Sequence, residues 1–105
     1  MLEKEIEKIL VNEVKKLGGK AYKFVSPGND GVPDRIVVFP NRVPVFVELK
    51  TGAGRLSALQ KVQCKKLLDL GQKVEVVYGM DGVSQFFQDY GYEKISKALD
   101  RKYDL

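Results

Sequence analysis

Apolar residues in the first part of the chain fall at Ile6, Ile9, Leu10, Val14 and Leu17, the spacing of one helix face. Glutamates crowd the start of this stretch and lysines its end, as the helix dipole favours, and Gly18 and Gly19 stop it. The pattern predicts a helix over 3–17. A short strand is expected over 21–25, and SPGNDGVP, residues 26–33, has the composition of a loop. Residues 35–39 and 45–49 are nearly continuous apolar runs around a Pro-Asn-Arg turn, which predicts a hairpin buried on both faces. TGAGRLS is a flexible loop in which Ser57 can cap the next helix. Leu59, Val62, Cys64, Leu67, Leu68 and Leu70 then fall partly in helical register, up to Gly71. KVEVVY reads as a fourth strand, 83–90 as a short helix, and 93–103 as a last one with Ile95, Leu99 and Tyr103 on one face.

The predicted order is α-β-β-β-α-β-α-α. Residues 45–78 make a strand-helix-strand unit, whose crossover is ordinarily parallel and right-handed. The expected fold is therefore α/β, a mixed sheet flanked by helices. No repeat, low-complexity segment or interdomain linker interrupts it, so 105 residues are read as one domain, 1–105, around one core.

Composition narrows the chemistry. The apolar fraction of 44% and charged fraction of 30% are ordinary for a globular chain. No apolar run approaches the ~20 residues that span a bilayer, and the acidic start MLEKEIEK is unlike a signal peptide. A single cysteine, Cys64, excludes an internal disulfide and points to a reducing compartment; a cytoplasmic location is expected. There is no histidine, which excludes a Cys/His zinc site, a Ser-His-Asp triad and a His-based nuclease. Catalysis is left to carboxylates, lysine, hydroxyls and a hard metal ion on oxygen ligands. The net charge of +4 fits a polyanionic partner without demanding one.

Three polar residues stand out in the hairpin GVPDRIVVFPNRVPVFVELK. Asp34 opens its first strand, and Glu48 and Lys50 interrupt the end of its second. Side chains alternate along a strand, so Glu48 and Lys50 share a face, and Asp34 can lie beside Glu48 if the register allows. Two adjacent carboxylates repel unless positive charge sits between them. Lys50 supplies some, and Mg²⁺ suits the rest: it takes oxygen ligands, here including the Leu49 carbonyl, and keeps several waters. Lys50 could then orient an attacking water or stabilise charge on phosphorus. The bland alternative is an ion pair at an exposed strand end with Asp34 capping a loop, since E-x-K alone is common on strands. The wider pattern is more specific: P-D, thirteen residues, then E-x-K, between buried-looking strands and before a helix.

GVPDRIVVF, FVELK and LSALQ, with the upstream GGKAYKFVSPG and the helix before it, resemble the VRR-NUC family of the PD-(D/E)XK nuclease superfamily. The resemblance covers about residues 3–87 and leaves 91–105 as a C-terminal helical extension. It implies a restriction-endonuclease-like α-β-β-β-α-β core. It implies that Asp34 and Glu48 bind metal, that Lys50 is catalytic, and that Gln60 joins the site. A first-helix glutamate would complete it, with Glu7 the best fit and Glu3, one turn earlier, the alternative. Two readings of Gln60 stay open, because Ser57-Ala-Leu-Gln60 is also a capping box. Asp30 reads as a turn residue, and Lys61, Lys65 and Lys66 as the wet face of their helix.

Lys20, Lys23, Arg35 and Arg55 are candidates for holding the DNA backbone, which fixes position without reading sequence. Small members of the family are typically phage proteins that resemble Holliday-junction resolvases. The resemblance thus implies a homodimeric, Mg²⁺- or Mn²⁺-dependent, structure-selective DNA endonuclease with no organic cofactor. Cleavage of flaps or splayed arms is one rival reading, and a DNA-binding module that does not cut is another.

Overall fold

In the computed structural model, which describes residues 1–105, the elements run α1 (Glu3–Lys16), β1 (Lys20–Lys23), β2 (Arg35–Val38), β3 (Val45–Lys50), α2 (Ala58–Asp69), β4 (Lys73–Tyr78), α3 (Gly79–Asp89) and α4 (Glu93–Tyr103). The order is the one the hydrophobic pattern predicts. The largest difference is α3, which follows β4 without a linker instead of starting near Val83. Gly79, at φ +64°, and Gly82 carry this reversal, and a Cβ on Gly82 would sit 3.2 Å from the Val77 carbonyl carbon. Both glycines lie in the first turn of the helix, where the absence of a side chain lets it start close against the end of β4.

The four strands lie in the order β1-β2-β3-β4. β1 and β2, and β2 and β3, are antiparallel, whereas β3 and β4 are parallel across the α2 crossover. Strand alternation then sorts the sheet into two faces. Val37, Val45, Val47, Leu49 and Val77 point into a core shared with Ile6, Leu10 and Val14 of α1 and with Val83, Phe86 and Phe87 of α3. Burying each such side chain contributes roughly 1.5–3 kcal/mol.

α4 closes the core on its own molecule: Leu99 is buried, and Ile95 and Tyr103 pack against the same cluster. The Ser84 hydroxyl meets Ser96 Oγ at 2.8 Å and Asp100 Oδ1 at 2.5 Å, so the buried polar groups between α3 and α4 are satisfied. Residues 91–105 therefore belong to the fold. No helix is long and apolar enough to cross a membrane.

The opposite sheet face is covered unevenly. α2 packs mainly beside β4 and buries only Cys64, leaving Leu59, Val62, Leu68 and Leu70 exposed. On the β1–β2 side Tyr22 is exposed, and Ile36 and Val38 are only partly buried.

Candidate active site

Arg35 pairs with Val47, and continuing that register by one residue sets Asp34 opposite Glu48. The two carboxylates lie on the α2 side of the sheet, where β2 ends and β3 runs on alone with β4. Asp34 Oδ2 accepts the Leu49 N–H at 2.9 Å, which pins the aspartate to the extended strand. A strand residue's N–H and C=O leave on the same side. The Leu49 carbonyl therefore also faces the gap beside Asp34.

Glu48 is only 2% exposed, an unusual position for a carboxylate. Its Oε2 accepts from Gln60 Nε2 at 2.8 Å and lies 3.8 Å from Lys50 Nζ. Its Oε1 is buried with no hydrogen-bond partner. Burial, and then the charge of Asp34, push its pKa from 4.5 up to about 7, with Lys50 partly offsetting the rise. A buried acid that lacks a partner for one oxygen needs a proton or a cation to complete it.

The residues fit a hard divalent ion in this respect: an orphaned carboxylate oxygen, a second carboxylate opposite, and a main-chain carbonyl on the same side. No three His, Cys, Asp or Glu side chains cluster closely enough to hold an ion by themselves. The donor set leaves room for waters, as Mg²⁺ prefers.

Gln60 does both things that its sequence context allows. Its Oε1 accepts the Ser57 N–H at 2.8 Å while Ser57 Oγ accepts the Gln60 N–H at 3.2 Å, a complete capping box. Its amide nitrogen remains free for Glu48. The cap and the contact to Glu48 are made by the two ends of one amide group.

Glu7, expected at the metal, and Arg35, expected at the DNA, bind each other. Arg35 Nε donates to Glu7 Oε2 at 2.8 Å, and its Nη1 donates to the Ala21 carbonyl at 3.2 Å. Alternation explains this, because Arg35 follows Asp34 and so projects to the α1 side of the sheet. Glu3, one turn earlier, is the first-helix carboxylate whose charge helps raise the Glu48 pKa. Lys20 and Lys23 are exposed on edge strand β1, and Arg55 is exposed in the loop after β3. Cys64, which the sequence reading did not place here, lies near enough for the Glu48 charge to add to the rise that burial gives its thiol pKa. The signal was available: it is four residues after Gln60, on the same helix face.

No family model matches the sequence. The chain is 48% identical over 79 residues to a protein of Acyrthosiphon pisum secondary endosymbiont phage 1 described as "Putative nuclease p44", covering 75% of this chain and 85% of that one. A solved structure described as "VRR_NUC domain" matches with a TM-score of 0.78 at 27% identity, over 84% of this chain and 96% of the other. A second, described as "VRR_NUC domain protein", matches with a TM-score of 0.65, over 86% and 88% of the two chains. Its 21% identity makes it a likeness of fold alone.

Proposed function

The chain belongs to the VRR-NUC nuclease family, and from that premise we propose that it is a divalent-metal-dependent, structure-selective DNA endonuclease that cuts branched DNA such as four-way junctions. The observation that carries this reading is the buried Glu48 carboxylate, with one oxygen unpartnered and Asp34 opposite.

Asp34, Glu48 and the Leu49 carbonyl would hold Mg²⁺ or Mn²⁺, with Glu3 in place of Glu7 as the first-helix acid. When bound, such an ion polarises the phosphodiester and makes water a stronger nucleophile. Lys50, an ammonium beside Glu48, orients the attacking water and stabilises charge that develops on the phosphoryl oxygens. Gln60 holds Glu48 in one rotamer by fixing Oε2. Arg35, clamped between Glu7 and Ala21, keeps α1 against β1 and β2 and so acts on the site through its neighbours. Lys20, Lys23 and Arg55 contact backbone phosphates.

A homodimer follows from the need to cut a four-way junction symmetrically, since one site cuts one strand and two related by a two-fold axis cut both. The exposed Leu59, Val62 and Leu70 of α2 and its cap support a face for a second copy.

The test compares wild type with Lys50→Ala on a labelled four-way junction and a matching linear duplex, in Mg²⁺, Mn²⁺ or EDTA. Metal-dependent cutting of the junction is expected in wild type, with at least a hundredfold loss in the variant and retained binding. Binding without cutting in either metal would leave a DNA-binding module.

A further inference from the structure

The sheet face that carries Asp34 and Glu48 does not end at the acidic pair. Tyr22 of β1 pairs with Ile36, two residues from Asp34, and Lys20 pairs with Val38, four residues from it. At the rise of a strand these positions lie roughly 7 and 13 Å beyond the aspartate. There the surface opens into a groove of about 570 Å³ between β1 and the hairpin turn. Its lining includes Lys20, Tyr22, Asn41, Arg42 and Val43, and no carboxylate.

Two features of this groove are unlike ordinary surface. Tyr22 is 51% exposed, although it stands on a sheet face beside partly buried Ile36 and Val38. The Lys20 ammonium lies 5.0 Å from its ring centroid, so a cation and an aromatic ring are presented together. At the other end, Arg42 is fixed: Nη1 donates to the Tyr90 carbonyl at 2.5 Å, and the guanidinium stacks 5.2 Å from the Tyr92 ring. Its remaining N–H groups are free to donate.

Resting on the nuclease reading above, we propose that this groove holds the unpaired strand of a flapped or splayed branched substrate, which a fully paired four-way junction lacks, with a base stacked on Tyr22 and the backbone on Lys20 and Arg42. A positively charged groove with an aromatic platform is what binds single-stranded nucleic acid without regard to sequence. A duplex offers such a ring nothing, because its bases are already stacked, and only its phosphates would reach Lys20 and Arg42. An unpaired base gains the ring as well. The groove therefore biases the site toward phosphodiesters next to a single-stranded segment, and it does so within a few nucleotides of Glu48.

The test is fluorescence anisotropy in EDTA, which prevents cutting, with labelled oligothymidylate and a blunt duplex of equal length as probes. Tyr22→Ala should lower the ratio of single-strand to duplex affinity about tenfold, the loss of one base stack, whereas Tyr22→Phe should keep it. Tyr22→Thr, which retains strand propensity, should behave like the alanine variant and separates stacking from any loosening of β1. An unchanged ratio in both truncated variants, in a protein that still cuts junctions, would overturn the groove and leave the nuclease reading standing. So would a dimer that dissociates in Tyr22→Ala with single-strand affinity intact, since the groove would then belong to a second copy. A wild type that binds neither probe nor a four-way junction would remove both readings.

Discussion

Folding carries the Glu48 carboxyl from water into a site where one oxygen has Gln60 and Lys50 for company and the other has nothing. The cost appears as a pKa of about 7 against an ordinary 4.5, caused first by burial and then by Asp34. A raised native pKa means that the folded state holds this proton more tightly than the unfolded one. The group's stabilising contribution is fully present below about 4.5 and is lost as pH rises through about 7. Melting the metal-free protein across that window should show stability falling with pH, and Glu48→Gln should flatten the fall. An identical slope in the variant would mean that other groups set it. A sequence can place this acid on a strand that reads as buried; it cannot say that one oxygen lacks a partner, because that depends on residues twelve and more positions away. Gln60 teaches the same point. Its two sequence readings compete only while the amide is treated as a single interaction.

At the scale of elements, the position of α2 decides whether Gln60 reaches Glu48, and α2 is set from outside. Its helical register is weak, and it buries only Cys64. The loop before β2 supplies the missing constraint. Gly31 has φ +89°, and a Cβ there would lie 2.6 Å from the Leu59 carbonyl carbon and 2.8 Å from the Gln60 nitrogen. The glycine lets GNDG lie directly on the first turn of α2. Gly31→Ala should cost about 2–4 kcal/mol, strain from the positive φ plus overpacking against backbone that cannot give way. Gly28→Ala is the matched control: φ is +80°, but no atom lies within 4 Å of its Cβ, so only the backbone part, about 1–2 kcal/mol, applies. Equal losses in urea unfolding would show that the contact with α2 contributes nothing. The hydrophobic pattern marks this segment only as a loop. The strands were more legible, since alternation puts Glu48 and Lys50 on one face, and the hairpin register adds Asp34 to them. The same alternation puts Arg35 on the other, a step that a list of basic residues does not take.

For the whole molecule, the hydrophobic pattern was sufficient for the order of elements and for the buried faces of α1 and α4, where spacing and burial agree at Ile6, Leu10, Val14 and Leu99. It was not sufficient for which sheet face α2 covers, or how much of it, because those depend on packing between distant elements. The candidate site lies at the seam of these units: Asp34 precedes β2, Glu48 and Leu49 are on β3, and Gln60 is on α2. These elements surround one core in a chain with a radius of gyration of 13.3 Å, the compactness ordinary for about 100 residues. An ion held across that seam binds the folded chain and not the unfolded one, so its affinity must appear as global stability. At a hundred times its dissociation constant, Mg²⁺ or Mn²⁺ should add about 2.7 kcal/mol to unfolding in wild type. Asp34→Asn and Glu48→Gln should each lose most of that increment, and Lys50→Ala, which removes no oxygen ligand, should keep it. A melting temperature indifferent to either metal in wild type would remove the ion from the site, whatever the cutting assay shows. An increment that survives both carboxylate substitutions would put the ion elsewhere on the molecule.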